Sequence, residues 1–147
     1  MIENTINATL TGDTLANALN FAAYLRENEM PVDENSSEVT YRGKVVCHMY
    51  VDGSAQYPGP WTIWTDGDYS SEPDDFPIDD HTKQVAWANV NICGNCGGSC
   101  SPGKSATIFG REFDSVCNAV MAFNNPDAQA LECAKKMIEM KRRGAES

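Results

Sequence analysis

Positive charge is scarce in this chain. Its 147 residues hold 11 Lys and Arg against 21 Asp and Glu, a formal net charge of -10, and only two His. A nucleic-acid or anionic-membrane partner needs clustered bases, so both are excluded as expectations. No apolar run approaches the ~20 residues of a membrane span. Met1 to Leu10 carries Glu3 and no basic cluster, unlike a secretory signal, which makes a cytoplasmic setting the expectation. There is no internal repeat and no low-complexity tract. A second Cys-x-x-Cys is missing too, and so is any Ser/His/Asp or Cys/His spacing for nucleophilic catalysis, so no catalytic residue is singled out.

What remains is an ordinary globular balance in a chain the length of one domain, read as a single domain over 1–147 with residues 1–10 disordered or loosely packed. Asp13 is placed to cap a helix reaching about Asn28, with Leu15, Ala18, Leu19, Ala22 and Leu25 on one face. The period then changes to two. Val39 and Tyr41 precede Arg42-Gly43, and Val45, Cys47, Met49 and Val51 follow, which predicts a β-hairpin. Trp61 to Thr65 reads as a strand, and Asp79 or Asp80 as the cap of a short helix over His81 to Ala86. Trp87 to Cys93 alternates like another strand. Ser105–Phe109 and Phe113–Phe123 look extended, with a turn at Gly110-Arg111. Asn125 as cap and Pro126 as first helical residue open a last helix, which Gly144 stops. Ala130, Leu131, Ala134, Met137 and Ile138 face inward. The order implies an α+β fold: an antiparallel sheet with an N-terminal and a C-terminal helix packed on one face.

Cys93-Gly94-Asn95-Cys96-Gly97-Gly98-Ser99-Cys100 carries the chemistry. Three thiols within eight residues, spaced by glycine and small polar residues, can turn their sulfurs toward one ion. Thiolates are soft and charged, so zinc is the expected cofactor, and the same spacing suits an iron–sulfur cluster. Cys93, Cys96 and Cys100 supply three ligands. The fourth must come from Cys117, Cys47, Cys133, His48 or His81, and Cys117 is preferred because a strand brings it soon after the loop. The Cys93–Cys96 spacing also fits a redox-active dithiol, although such pairs open helices and glycines follow here. Cys47 and Cys133 fall on apolar faces and read as core thiols.

Gly98 to Ser105 matches the phosphate-loop pattern G-x-x-x-x-G-K-[ST]. That loop works only between a strand and a helix, and Ala106 to Gly110 reads as strand. Seven acids with no base between them, from Asp66 to Asp80, form a solvated stretch opposed by Lys135, Lys136, Lys141, Arg142 and Arg143. Tyr57, Trp61, Trp64, Tyr69 and Trp87 crowd the middle of the chain. Alternation puts Trp61 and Ile63 on one strand face and Thr62 and Trp64 on the other. One tryptophan can then join the core while the other lines a small-molecule pocket for a flat or cationic ligand.

Several blocks look like those of small bacterial proteins with a glycine-rich cysteine loop. They are Gly59 to Trp64, Cys93 to Gly98, Cys100 to Lys104, Ile108-Phe109-Gly110, Glu112-Phe113 and Asn125-Pro126-Asp127. The resemblance implies a free-standing bacterial domain in which the cysteine loop is characteristic of the type. It brings no catalytic residues.

Overall fold

The computed structural model describes residues 2–51, 60–67, 69–70, 74–92 and 104–146, leaving aside the side chains of 117–119 and 144–146. In chain order the elements are α1 (Ile2–Thr9), α2 (Gly12–Glu27), β1 (Val32–Asp33), β2 (Glu38–Tyr41), β3 (Lys44–Val51), β4 (Trp61–Thr65), α3 (Asp80–Ala88), β5 (Val90–Ile92), β6 (Lys104–Ile108), β7 (Arg111–Asn124) and α4 (Ala128–Glu146). The seven strands form one antiparallel sheet in the order β1-β2-β3-β4-β7-β5, with β6 also paired to β7. The fold is α+β, with helices at both ends of the chain.

Two hairpins rest on the same turn chemistry. Arg42-Gly43 joins β2 to β3 and Phe109-Gly110 joins β6 to β7, both central residues of each turn having positive φ. Such type I′ turns match the twist of the strands they connect, and glycine at the second position takes its φ of 82° or 84° without steric cost. The second turn therefore lies one residue earlier than Gly110-Arg111.

The core lies between the sheet and α1, α2 and α4. Phe21, Ala22 and Leu25 of α2 and Leu131, Ala134, Met137 and Ile138 of α4 meet Cys47, Met49, Trp61, Ile63, Met121 and Phe123 of the sheet. Trp61 is fully buried, its ring 6.0 Å from that of Phe21. Residues 2–10 are packed: α1 buries Ile6 completely, and Leu10 just after it is nearly so. Between α2 and α4 a polar seam is closed by Glu139, which accepts from the Tyr24 hydroxyl at 2.8 Å and from the Arg142 guanidinium at 2.9 and 3.1 Å.

Several boundaries differ from the expected ones. Thr11, not Asp13, precedes α2, and Asp13 complements the positive end from the first turn. Trp87 and Ala88 finish α3 rather than starting a strand, because Asn89 ends the helix and its amide bonds back to Val85. Asp127, not Asn125, caps α4 by accepting from the Ala130 N–H at 2.8 Å. Asn125 instead makes the corner out of β7 at a φ of 45°, a conformation Asn tolerates. α4 continues through Gly144 to Glu146.

The acidic stretch meets the basic helix: Asp66 pairs with Lys141 at 3.3 Å, Asp79 with Lys136 at 3.4 Å, and Asp75 with Arg143. Asp79 also caps α3, its carboxylate accepting from the Thr82 N–H at 2.7 Å. Hydrogen bonds from Thr82, aided by Lys136, hold this carboxyl down from 3.8 to about 2. A depressed folded pKa stabilises above the unfolded value and loses that contribution as pH falls through the folded one. Asp79→Ala should therefore melt below the parent protein at neutral pH, and the gap should shrink as pH falls from about 4 toward about 2. Melting curves across that window check it; a gap independent of pH would remove the charge from the cap's contribution.

Candidate functional site

Strand β7 is the hub on which the cysteine loop is hung. Met121 pairs with both Thr65 of β4 and Val90 of β5, and Val116 with both Ile92 of β5 and Lys104 of β6. A residue in a sheet has one neighbour on each edge. So β4 and β6 share one edge of β7, and β5 takes the other. Ile92 and Lys104, the residues that bracket the cysteine segment, therefore face each other across one strand. They stand about 10 Å apart, two inter-strand spacings. Cys117 is the next residue of β7 after Val116.

The register slips at this point. From Val90 to Ile92 is two steps on β5, whereas from Met121 back to Val116 is five on β7. Ser115 has a φ of 58°, outside the usual strand region. Irregular stretches of this kind interrupt pairing and re-aim side chains, and they gather at the rims of sites. Cys117 sits inside the slipped stretch.

Two of the alternative ligands are accounted for elsewhere. Cys47 is completely buried in β3, and burial pushes its thiol well above the usual range. Cys133 of α4 is 2% exposed, its sulfur lies 3.6 Å from the Thr82 carbonyl oxygen, and burial raises it to about 12. Both are unpaired thiols packed as small hydrophobes. His48 lies on β3 with its ring turned away from the Cys47 face. His81, in the first turn of α3, lines a cleft of about 430 Å³ with Gln84, Asn125 and Asp127. Among the described residues no three His, Cys, Asp or Glu side chains stand together as a metal site. Cys93, Cys96 and Cys100 lie outside the described residues, as does the side chain of Cys117.

Lys104 and Ser105 begin strand β6, not a helix. The matching phosphate-loop pattern thus lacks the helix N-terminus that would present amides to a phosphate.

Of the five aromatics grouped by the sequence, the four among the described residues are dispersed. Trp61 belongs to the core. Tyr69 is 3% exposed, with its ring 6.2 Å from Phe109. Trp87 donates its ring N–H to the Ile108 carbonyl at 2.7 Å, and Arg111 lies over its face. Tyr57 lies outside the described residues. Trp64 does reach the opposite sheet face, where its neighbours are Tyr50 and His48. The Tyr50 and Trp64 rings are 4.6 Å apart and tilted by 56°, and the His48 ring runs nearly parallel to Tyr50 at 6.4 Å. The Trp64 N–H is buried and has no acceptor. Nothing in the one-dimensional spacing points to Tyr50; the register His48↔Trp64 and Tyr50↔Thr62 brings it there.

No helix among the described residues is long and apolar enough to cross a membrane. Comparison of the chain with protein-family models, with curated proteins and with solved structures gave no match.

Proposed function

We propose that the chain is a metal-binding domain that holds one ion, zinc by preference, at the neck of the β5–β6 connection. Cys93, Cys96, Cys100 and Cys117 are its ligands, and its role is structural or sensory. The observation that supports this most is the convergence of Ile92 and Lys104 on Val116, which brings both ends of the cysteine segment to the residue before Cys117. Burial of Cys47 and Cys133 leaves these four as the thiols available for ligation.

Four thiolates make a closed tetrahedral site at metal–sulfur distances of about 2.3 Å, the usual form of a structural zinc. Three thiolates with an open fourth position would let the ion bind or sense a further ligand. The glycines around Cys96 suit the tight turns that such a knuckle needs.

Anaerobically purified protein should contain about one zinc per chain by elemental mass spectrometry, as expected of a single four-ligand site. Cys93→Ser and Cys96→Ser should lose it, and Cys117→Ser should bind it far more weakly. Iron with equimolar sulfide would replace zinc by a cluster on the same thiols. Metal-free protein in which all the cysteines titrate as free thiols would sink the proposal. Metal-free protein with two thiols fewer would turn it into a dithiol redox site.

A further inference from the structure

The sheet has a second face, on which no helix packs among the described residues. Register places Glu38, His48, Trp64 and Ala122 in one row across β2, β3, β4 and β7, and Tyr50, Thr62 and Asn124 in the next. We infer that this face binds an organic cation of the aromatic or quaternary ammonium class, on the rings of Tyr50 and Trp64, with Glu38 beyond His48 in the same row supplying negative charge.

The helix-free face of an antiparallel sheet is ordinarily covered by threonines and charged residues. Here three rings stand side by side instead, each half-buried, while the one aromatic of β4 needed for packing, Trp61, is already in the core. Tyr50 and Trp64 meet at an angle, so two electron-rich faces converge. Their neighbours in the rows, Thr62 and Ala122, are small and themselves buried, so the partly exposed rings form the accessible part of this face. A ring face carries negative quadrupole charge and attracts a cation within about 6 Å of its centre.

Charge selects the occupant. The two rows contain one carboxylate and no Lys or Arg, in a chain of net charge -10. Anions, and phosphates above all, are repelled. The same deficit of bases argues against single-stranded nucleic acid, whose bases would otherwise suit a stacking platform. No residue named on this surface is a proposed metal ligand, and the two proposals stand or fall separately.

Benzyltrimethylammonium is a suitable probe, with benzyl alcohol and phenylacetate as neutral and anionic counterparts. Titration followed by tryptophan fluorescence and by the indole N–H resonances should saturate for the cation, with the Trp64 resonance shifting and that of Trp61 unmoved. Trp64→Leu and Tyr50→Leu should each weaken binding about tenfold, the scale of a desolvated cation–π contact. Glu38→Gln should weaken it about threefold, as expected of a half-buried charge near the surface. Zinc content should be the same in all three variants. Melting curves establish that each variant is folded; if Trp64→Leu is not, Tyr50→Leu and Glu38→Gln carry the test. Benzyl alcohol or phenylacetate binding as tightly as the cation would overturn the inference. So would wild-type affinity in the folded ring variants, or no saturation by about 10 mM probe, an affinity below any specific contact.

Discussion

Trp61→Ala should destabilise the protein by about 3–5 kcal/mol, whereas Trp64→Ala, three residues along the same strand, should cost about 1–2 kcal/mol. Trp61 is fully buried against Phe21 between the sheet and α2, so truncation opens a cavity that α2 and α4 would have to close. Trp64 lies half-buried on the other face, where its loss costs contact area but opens no enclosed void. Domains of this size are stable by about 5–15 kcal/mol, so the first change removes a large share and the second a small one. At about 2–4 °C per kcal/mol, Trp61→Ala should lower the melting temperature by roughly 10 °C. Trp61→Phe should be milder than Trp61→Ala. The indole N–H is buried without an acceptor, and removing it relieves a cost that offsets part of the lost volume. Thermal or urea melts followed by circular dichroism decide the matter. Equal losses at the two positions would mean that the sheet does not separate a core face from an open one.

Thiol reactivity should divide the cysteines as sharply. The chain has six, of which Cys47 and Cys133 should be silent in the native protein. With the Cys133 thiol raised to about 12, roughly one molecule in ten thousand carries the reactive thiolate at about pH 8. Burial acts on Cys47 in the same direction and also denies access to the reagent. Maleimide labelling of both should therefore run at least a thousandfold slower than at an ordinary exposed cysteine, by the thiolate fraction alone. The other four should react in metal-free protein, become protected on adding zinc, and be released by a chelator. Peptide mapping after a short pulse identifies the labelled positions. Fast labelling of Cys47 or Cys133 would mean that the thiol set of the proposed site has been drawn wrongly.

Local signals were legible in this sequence, and distant ones were not. The β2–β3 hairpin follows from alternation around Arg42-Gly43, because a period of two and a turn residue are both properties of neighbours; the bulge beside Val39, which puts Val46 rather than Val45 in the core next to Cys47, does not. The separation of Trp61 from Trp64 follows from the same period. Helix ends were readable only to within a few residues. Trp87 and Ala88 fit an alternating strand as well as a last helical turn. In Asn124-Asn125-Pro126-Asp127 three residues can cap, and only the Asp127–Ala130 hydrogen bond selects one. The aromatic face needed information that no local pattern holds. Tyr50 and His48 join Trp64 through the β3–β4 register, across a connection that gives no sign of where pairing resumes. The neck of the cysteine segment is similar: nearness in sequence alone points to Cys117 as the proposed fourth ligand, whereas the support for it is the double pairing of Val116.

The strands at the ends of the sheet are short. β1 has two residues and β5 three. Unpaired edge strands offer rows of amide and carbonyl groups to any passing chain, and long flat edges are where proteins join into aggregates. At β1 the row is brief, Pro31 just before it has no N–H to offer, and Asp33 puts a charge on it. At β5 the row ends at Ile92, where the cysteine segment begins. Among the described residues a foreign strand would find two or three residues to pair with at β1 or β5, and five at β6, which is paired only to β7 and opens on Lys104. A sheet whose hydrogen bonding is concentrated on β3, β4 and β7 keeps its longest strands paired and leaves only short ones to face a passing chain.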